Sequence, residues 1–457
     1  MSIEPEATTV DAVVIGMGPG GEDVAGNLAS AGLSVVGIES GLVGGECPYW
    51  GCIPSKMMIR AANLLAEARR IPGVAGTSAV TPDWGPVAAR VSVEATDDWD
   101  DTVAVDRFVA KGGTLVRGHG RLVDADTVEV AGHRYRATRA VVVATGTTAA
   151  VPPITGLAGT PYWTNHEAIE AAELPASIIV LGGGAVGAEL AQVYARFDVD
   201  VTLVEAADRL LPIEEPEVGE LLAEVFRGED VDVITGVAAT SVSYDGKFSV
   251  VLADGRELVA ERLLVAMGRR VDLAGIGADV LGIDTNTATA VPVDEHLRVT
   301  AGVWAVGDVT GVGAFTHVAM YQARVATADI LGEPHAPAEY TAVPRVTFTD
   351  PEVGSVGFTV QAAKDAAIDV VVARTDVPST ARGWLHKSGN EGFIQLVADR
   401  RRGVLVGATS MGPSGGEVLG LLTLAVHART PTEELRSMIY AYPTFHRGIE
   451  DALENLT

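Results

Sequence analysis

Two cysteines, Cys47 and Cys52, are all the thiols that a chain of 457 residues offers. No second cysteine pair and no nearby histidine supplies the further ligands a zinc site would want, so no metal site is expected there. Basic side chains are scarce as well: 33 Lys and Arg stand against 60 Asp and Glu, a formal net charge of −27. So acidic a surface favours solubility and excludes nucleic acid and anionic membranes as expected partners. Long apolar runs are missing too. The longest uncharged stretch, 140–165, is broken by Pro152, Pro153 and Pro161 and does not read as a membrane helix. The opening residues carry neither the basic nor the apolar region of a signal peptide, so the expected location is the cytoplasm. A cysteine pair can cycle in that reducing compartment, whereas a structural disulfide would be out of place. What is present, 47% hydrophobic and 20% charged residues, suits a globular protein of roughly two to four domains.

Cys47 and Cys52 are separated by four residues. Such a loop closes into a disulfide if the two Cα atoms come within ~7 Å. Pro54 suits the first turn of a helix. A helix starting beside Cys52 would aim its positive end at a thiolate and activate it. Two small buried hydrophobes are the other reading of such a pair. A thioredoxin motif is not matched, because it has two intervening residues.

A short β-branched run at 10–15 leads into Gly16, Gly18 and Gly21, and 22–30 reads as a helix. Glycines there let the backbone approach a pyrophosphate whose charge the helix N-terminus stabilises. After a strand at 34–38 comes Glu39, placed to accept from a ribose hydroxyl. The pattern returns 166 positions later: a strand at 178–181, then Gly182, Gly184 and Gly187, a helix at 188–197, a strand at 200–204 and Glu205. Glu205 would repel a 2′-phosphate, which favours NAD and leaves NADP possible, since Arg209 is the one cation close by. Two such units suggest two nucleotides. Between them, helices are expected at 59–70 and 87–111, a loop at 72–86, and strands at 114–120, 121–130 and 140–144. From Pro344 the pattern alternates as an antiparallel sheet, with strands at 355–360, 369–374, 392–398 and 404–411 and helices at 417–428 and 433–438.

The run from Gly44 to Lys56, Gly-Gly-x-Cys-x-x-x-x-Cys-x-Pro-Ser-Lys, resembles the redox motif of the FAD-dependent pyridine nucleotide-disulfide oxidoreductases. That family includes lipoamide dehydrogenase, glutathione reductase and mercuric reductase. Pro48, Tyr49 and Trp50 depart from its pattern, filling a segment that is usually small and aliphatic with an Asn. The resemblance implies an α/β fold with two Rossmann-like dinucleotide-binding domains and a C-terminal α+β dimerisation domain. It divides the chain into 1–150 and 271–340 for FAD, 151–270 for NAD(P), and 341–457 for pairing into a homodimer. It also implies that Gly45, Gly120, Thr145, Gly146, Gly307, Asp308, Thr316 and His317 serve the flavin, with Asp308 on its ribityl chain. Gly268, followed by Arg269, would close the NAD segment. Lys56 and Glu189 match the family's ion pair beside the flavin. Cys52 would face the flavin, and Cys47 would attack the substrate. Ala185 stands where some members carry an aromatic gate, so nicotinamide entry is expected to be open.

The family's base is the His of a His-Pro-Thr-x-x-Glu motif delivered across the dimer. Here Tyr442-Pro443-Thr444-Phe445-His446-Arg447 stands instead, with Tyr442 for the His and Arg447 for the Glu. Tyrosine ordinarily titrates near ~10, so it donates a proton more readily than it accepts one at neutral pH. His446 is the rival candidate. The absence of a C-terminal cysteine pair and of an N-terminal metal-binding extension argues against mercuric reductase and the large thioredoxin reductases. Three activities fit: reduction of a small disulfide or the reverse dithiol oxidation, flavin-dependent reduction of a quinone-like acceptor, or non-catalytic sensing of NADH.

Overall fold

The computed structural model describes residues 7–456. The chain divides into two compact units, each built from several separate segments.

The first unit comprises the chain up to Pro54, Val91–Ala150 and Arg269–Glu339. Its sheet runs in the order Arg298–Thr300, Val303–Ala305, His133–Val143, Thr8–Ile15, Val35–Glu39, Thr114–Arg117. The four pairings from Val303–Ala305 to Thr114–Arg117 are parallel, with Val13 opposite Val36 and Val141. A hairpin, Arg121–Asp124 and Thr127–Val130, is added antiparallel on His133–Val143. Both sheet faces are covered. Ala12 and Val14 join one apolar cluster with Val24 and Leu28, while Val13 and Ile15 join the other with Leu122 and Val303. The period-two alternation of a strand buried on both sides explains why this run is continuously apolar.

The second unit comprises Ser55–Arg90, Val151–Gly268 and Tyr340–Thr457. It holds a parallel sheet ordered Asp232–Thr235, Asp200–Glu205, Ser177–Leu181, Arg262–Val265, and a three-stranded antiparallel sheet, Ala239–Tyr244, Phe248–Leu252 and Glu257–Ala260. It also holds a five-stranded antiparallel sheet ordered Pro344–Thr347, Glu352–Gly357, Val404–Gly412, Phe393–Asp399, Val370–Asp376. Helices Gly415–His427 and Gly448–Glu454 cover that last sheet through Leu419, Leu422, Ile449 and Leu453.

Three elements differ from the sequence reading. The helix expected over 87–111 is broken into Gly85–Ala89, a π-helical turn Arg90–Ala95 and Thr102–Ala110. Asp97, Asp98 and Trp99 all take left-handed backbone angles between them. The Thr96 hydroxyl turns back to the Val91 and Ser92 carbonyls, and Asp101 is drawn away to Arg117 and the Val43 N–H. The strand expected at 355–360 ends at Gly357, whose φ is +68, and Thr359 then caps a helix, Val360–Asp365, by accepting from the Ala362 N–H. The strand expected at 121–130 is two strands that turn back at Ala125 and Asp126, whereas the helix expected beside Cys52 begins there and runs unbroken to Arg69.

Candidate active site

In the first unit, a Cβ on Gly16 would lie 2.5 Å from the Ala144 carbonyl oxygen, and one on Gly21 would lie 1.9 Å from the Gly16 oxygen. Only glycine fits these positions. Gly18 faces open space at the N-terminus of helix Pro19–Ser30, so the turn is closed inside and open where a pyrophosphate would approach. Glu39 is fixed by two backbone donors, the N–H groups of Met17 and Gly41, each at 2.7 Å. The Thr145 hydroxyl is buried beside this turn and has no hydrogen-bond partner among the described residues. An orphaned buried hydroxyl next to a cradle that a Cβ would fill fits a bound dinucleotide. Gly146 has φ +63 and open space beyond it, whereas Gly120 is wedged against Ile15 and Ile38.

The same unit places Asp308 after Gly307, whose N–H donates to the Gln322 side chain at 2.6 Å. Asp308 accepts from the Thr147 hydroxyl at 3.1 Å. Arg269 donates to the same hydroxyl and to the Thr147 carbonyl, each at 2.7 Å, and reaches Glu46 at 3.5 Å. Burial lifts the Asp308 carboxyl above its ordinary range, against the opposing pull of Thr147 and Arg269. His317 stacks on Phe315, with ring centroids 5.3 Å apart.

The cysteine loop is pressed onto the glycine turn. Gly44 donates to the Met17 carbonyl at 2.7 Å, and a Cβ on Gly45 would come within 2.9 Å of Gly18 Cα. Cys47 lies on the short helix Glu46–Tyr49 and Cys52 opens the next, Cys52–Arg69. The pair is held as thiols rather than as a disulfide. Thr316 Oγ1 sits 3.5 Å from Cys52 Sγ. The Cys47 thiol is pushed well above its ordinary value, first by its hydrogen bond to Cys52 and then by burial. Cys47 therefore keeps its proton in the dithiol at neutral pH.

In the second unit the glycine turn repeats the first. A Cβ on Gly187 would lie 1.9 Å from the Gly182 oxygen, and one on Gly182 2.4 Å from the Ala266 oxygen, while Gly184 is open. Glu205 accepts from the N–H groups of Gly183 at 2.6 Å and Ala207 at 2.8 Å, as Glu39 does from its own pair. A cavity of about 260 Å³, lined by Gly182, Gly184, Glu205, Ala266 and Gly268 among others, opens at the carboxyl ends of the parallel strands. Arg209 is turned away into the Pro212 carbonyl at 3.0 Å and Asp208 at 3.3 Å.

This unit also joins Lys56 to Glu189. Lys56 Nζ donates to Oε2 at 2.9 Å, and Oε1 accepts the Phe348 N–H at 2.8 Å. The ammonium lies 4.6 Å from the Phe348 ring centroid. Seven residues along each helix, Arg196 donates to Asn63 at 2.5 Å. The two helices thus run side by side in one direction, tied at matching two-turn intervals. Arg196, 2% exposed at its side chain, also holds Glu229 at 2.6 Å and Asp350 at 2.8 Å.

Tyr442 is 70% exposed. The His446 ring lies 3.5 Å from the Thr444 hydroxyl and packs near Tyr440. Arg447 is paired with Glu450 at 3.0 Å.

Comparison with known proteins decides the family. The profile described as pyridine nucleotide-disulphide oxidoreductase matches residues 10–323, and its dimerisation domain matches residues 343–453. The chain belongs to this family. It is 34% identical to the dihydrolipoyl dehydrogenase of Mycobacterium leprae, covering 98% of each chain. It is also 34% identical to the mercuric reductase of Acidithiobacillus ferrooxidans, covering 97% of this chain and 82% of that one. Among solved structures, the HOCl-induced flavoprotein disulfide reductase RclA of Escherichia coli, as its Cu(II) complex, superposes with a TM-score of 0.86 at 25% identity over 98% of this chain and 100% of that one.

As a member of this family the protein is an α/β flavoprotein oxidoreductase acting on sulfur groups with FAD and NAD(P)H. Among the described residues no helix is long and apolar enough to cross a membrane. Several contacts of this oxidoreductase escaped the sequence. Thr147 and Gln322 lie outside the glycine motifs, and their hydroxyl and amide meet Asp308 and Gly307 only once the chain has folded. Phe348 sits 159 residues from Glu189, a separation that no local pattern signals.

Proposed function

We propose that this oxidoreductase transfers two electrons from NADH through FAD to a Cys47–Cys52 disulfide and on to a small disulfide, as a cytoplasmic homodimer. NADH and a proton are consumed, the substrate S–S bond breaks and two thiols are released. Bound FAD supplies the relay between nicotinamide and sulfur. Cys47 attacks one substrate sulfur, and the departing thiolate takes a proton. Cys52 then attacks Cys47, which releases the second thiol and restores the disulfide. Lys56, held by Glu189 and Phe348, supplies a fixed positive charge, as the family resemblance implies. Tyr442 serves as proton donor to the active site of the other subunit. Exposed Ile439, at 96%, and Trp384, at 70%, fit a face covered by that subunit.

The observation that carries this reading is the placing of both cysteines together, Cys47 hydrogen-bonded to Cys52 and Thr316 Oγ1 3.5 Å from Cys52 Sγ. It is tested by alkylating the oxidised holoenzyme before and after anaerobic NADH. Both cysteines should become reactive only after NADH, and Cys47→Ser should end disulfide turnover.

A second reading, reduction of a quinone-like acceptor directly by flavin, is favoured by the raised Cys47 thiol and by the Tyr442 and Arg447 replacements. It predicts quinone-dependent NADH oxidation that survives Cys47→Ser.

A further inference from the structure

We propose that His296, Asp329 and His335 form a binding site for one divalent transition-metal ion of the zinc class. Their ligand atoms all lie within 4.8 Å of one another. His296 Nδ1 is 3.0 Å from His335 Nε2, and His335 Nε2 is 3.8 Å from Asp329 Oδ1. A tetrahedral ion bound at ~2.0–2.1 Å holds two nitrogens roughly 3.3 Å apart, so the imidazoles would part slightly and the Asp329 carboxylate would draw inward to admit it.

The remote nitrogen of His335 carries the kind of partner that orients a metal-bound histidine. His335 Nδ1 lies 3.1 Å from the Glu333 carbonyl, a pure acceptor, so this nitrogen bears the hydrogen and Nε2 accepts from His296 Nδ1–H at 3.0 Å, a proton that a bound ion would displace. His296 Nε2 faces the Glu295 carboxylate at 3.7 Å. Asp329 is aimed by Trp304, which donates to Oδ2 at 2.8 Å, and by Arg298, which donates to Oδ1 at 2.7 Å. The guanidinium weakens the site by its charge while fixing the carboxylate. Two imidazoles and one carboxylate suit zinc and its transition-metal neighbours better than magnesium or calcium.

The backbone prepares this arrangement. His296 sits in a turn pinned by Asp294, which accepts from the N–H groups of His296 at 2.8 Å and Arg298 at 2.9 Å. Helix Thr316–Leu331 ends on left-handed Gly332, and the chain doubles back, with Glu333 N–H on the Ala328 carbonyl at 2.8 Å. Ala338 N–H then donates to the Glu295 carbonyl at 2.7 Å, holding the segment after His335 against the His296 turn. A bound ion would clamp the far end of the helix whose first residue, Thr316, contacts Cys52.

The test uses tag-free, full-length holoenzyme with Cys47→Ser and Cys52→Ser, so that thiols cannot capture the ion. After chelator treatment, calorimetric titration with zinc chloride should show one ion per chain and zinc should raise Tm. His296→Asn and His335→Ala should each weaken binding by more than about tenfold and remove the Tm rise. Their zinc-free Tm should match that of the parent. If His335→Ala does not fold, His296→Asn, in the surface turn, decides alone. No uptake, or uptake unchanged by the histidine substitutions, would overturn the site.

Discussion

The Arg447 guanidinium lies over the ring of Tyr442, 5.3 Å from its centroid. Where the family resemblance expects a carboxylate orienting an imidazole, this chain sets a cation on a phenol ring. That arrangement holds the ring in place but gives its hydroxyl no acceptor to make it a base. Tyr442→Phe should slow reoxidation of the dithiol by a disulfide about 10²-fold or more while leaving flavin reduction by NADH intact. Stopped-flow measurement of the two half-reactions checks this. A much larger loss in His446→Ala at unchanged stability would transfer the role to His446.

Arg196 ties Asn63, Glu229 and Asp350 together in the second unit. Replacing it by leucine leaves two shielded carboxylates with Arg70 alone between them, 2.8 Å from Asp350 and 4.0 Å from Glu229. Such losses cost about 3–5 kcal/mol, so Arg196→Leu should lower Tm sharply in calorimetry. A change of only a degree or so would show that Arg70, 2.8 Å from Asp350, carries the network alone.

Where the sequence was legible, the reason was local. Glycine turns, their strands and the acidic residues after them are encoded within some 25 consecutive residues, and Glu39 and Glu205 stand at the same point of the two repeats. The broken helix at 96–101 was not legible, because Asp101 is drawn from helix geometry by Arg117 and Val43, which tertiary folding brings to it. The His296 and His335 pair was hidden in the same way. Thirty-nine positions separate the two residues, and a helix ending on Gly332 returns one to the other.

Coenzyme choice follows from Glu205. Both its oxygens are committed to backbone N–H groups, which holds the carboxylate where the family resemblance would put a 2′-phosphate, and Arg209 turns its terminal nitrogens to Pro212 and Asp208. Two negative charges at ~4 Å repel by about 1–4 kcal/mol near a protein surface. NADH should therefore exceed NADPH by about tenfold or more in kcat/KM. Glu205→Ala should narrow that ratio chiefly by improving NADPH. Equal efficiency in the parent enzyme would contradict the assignment.

Cys47 fixes the pH dependence of the sulfur half-reaction. In the dithiol its hydrogen bond to Cys52 and its burial raise the thiol, so at neutral pH only a small fraction is thiolate. Raising pH removes the proton and produces the nucleophile, so the sign is a rate that climbs with pH. With no base at position 442, reoxidation of the reduced enzyme by an uncharged disulfide should rise about tenfold per unit from about pH 6 to about pH 9, without a plateau. Single-turnover kinetics under anaerobic conditions measures it. A plateau near pH 7 that vanishes in His446→Ala would instead mean that an imidazole takes the Cys47 proton.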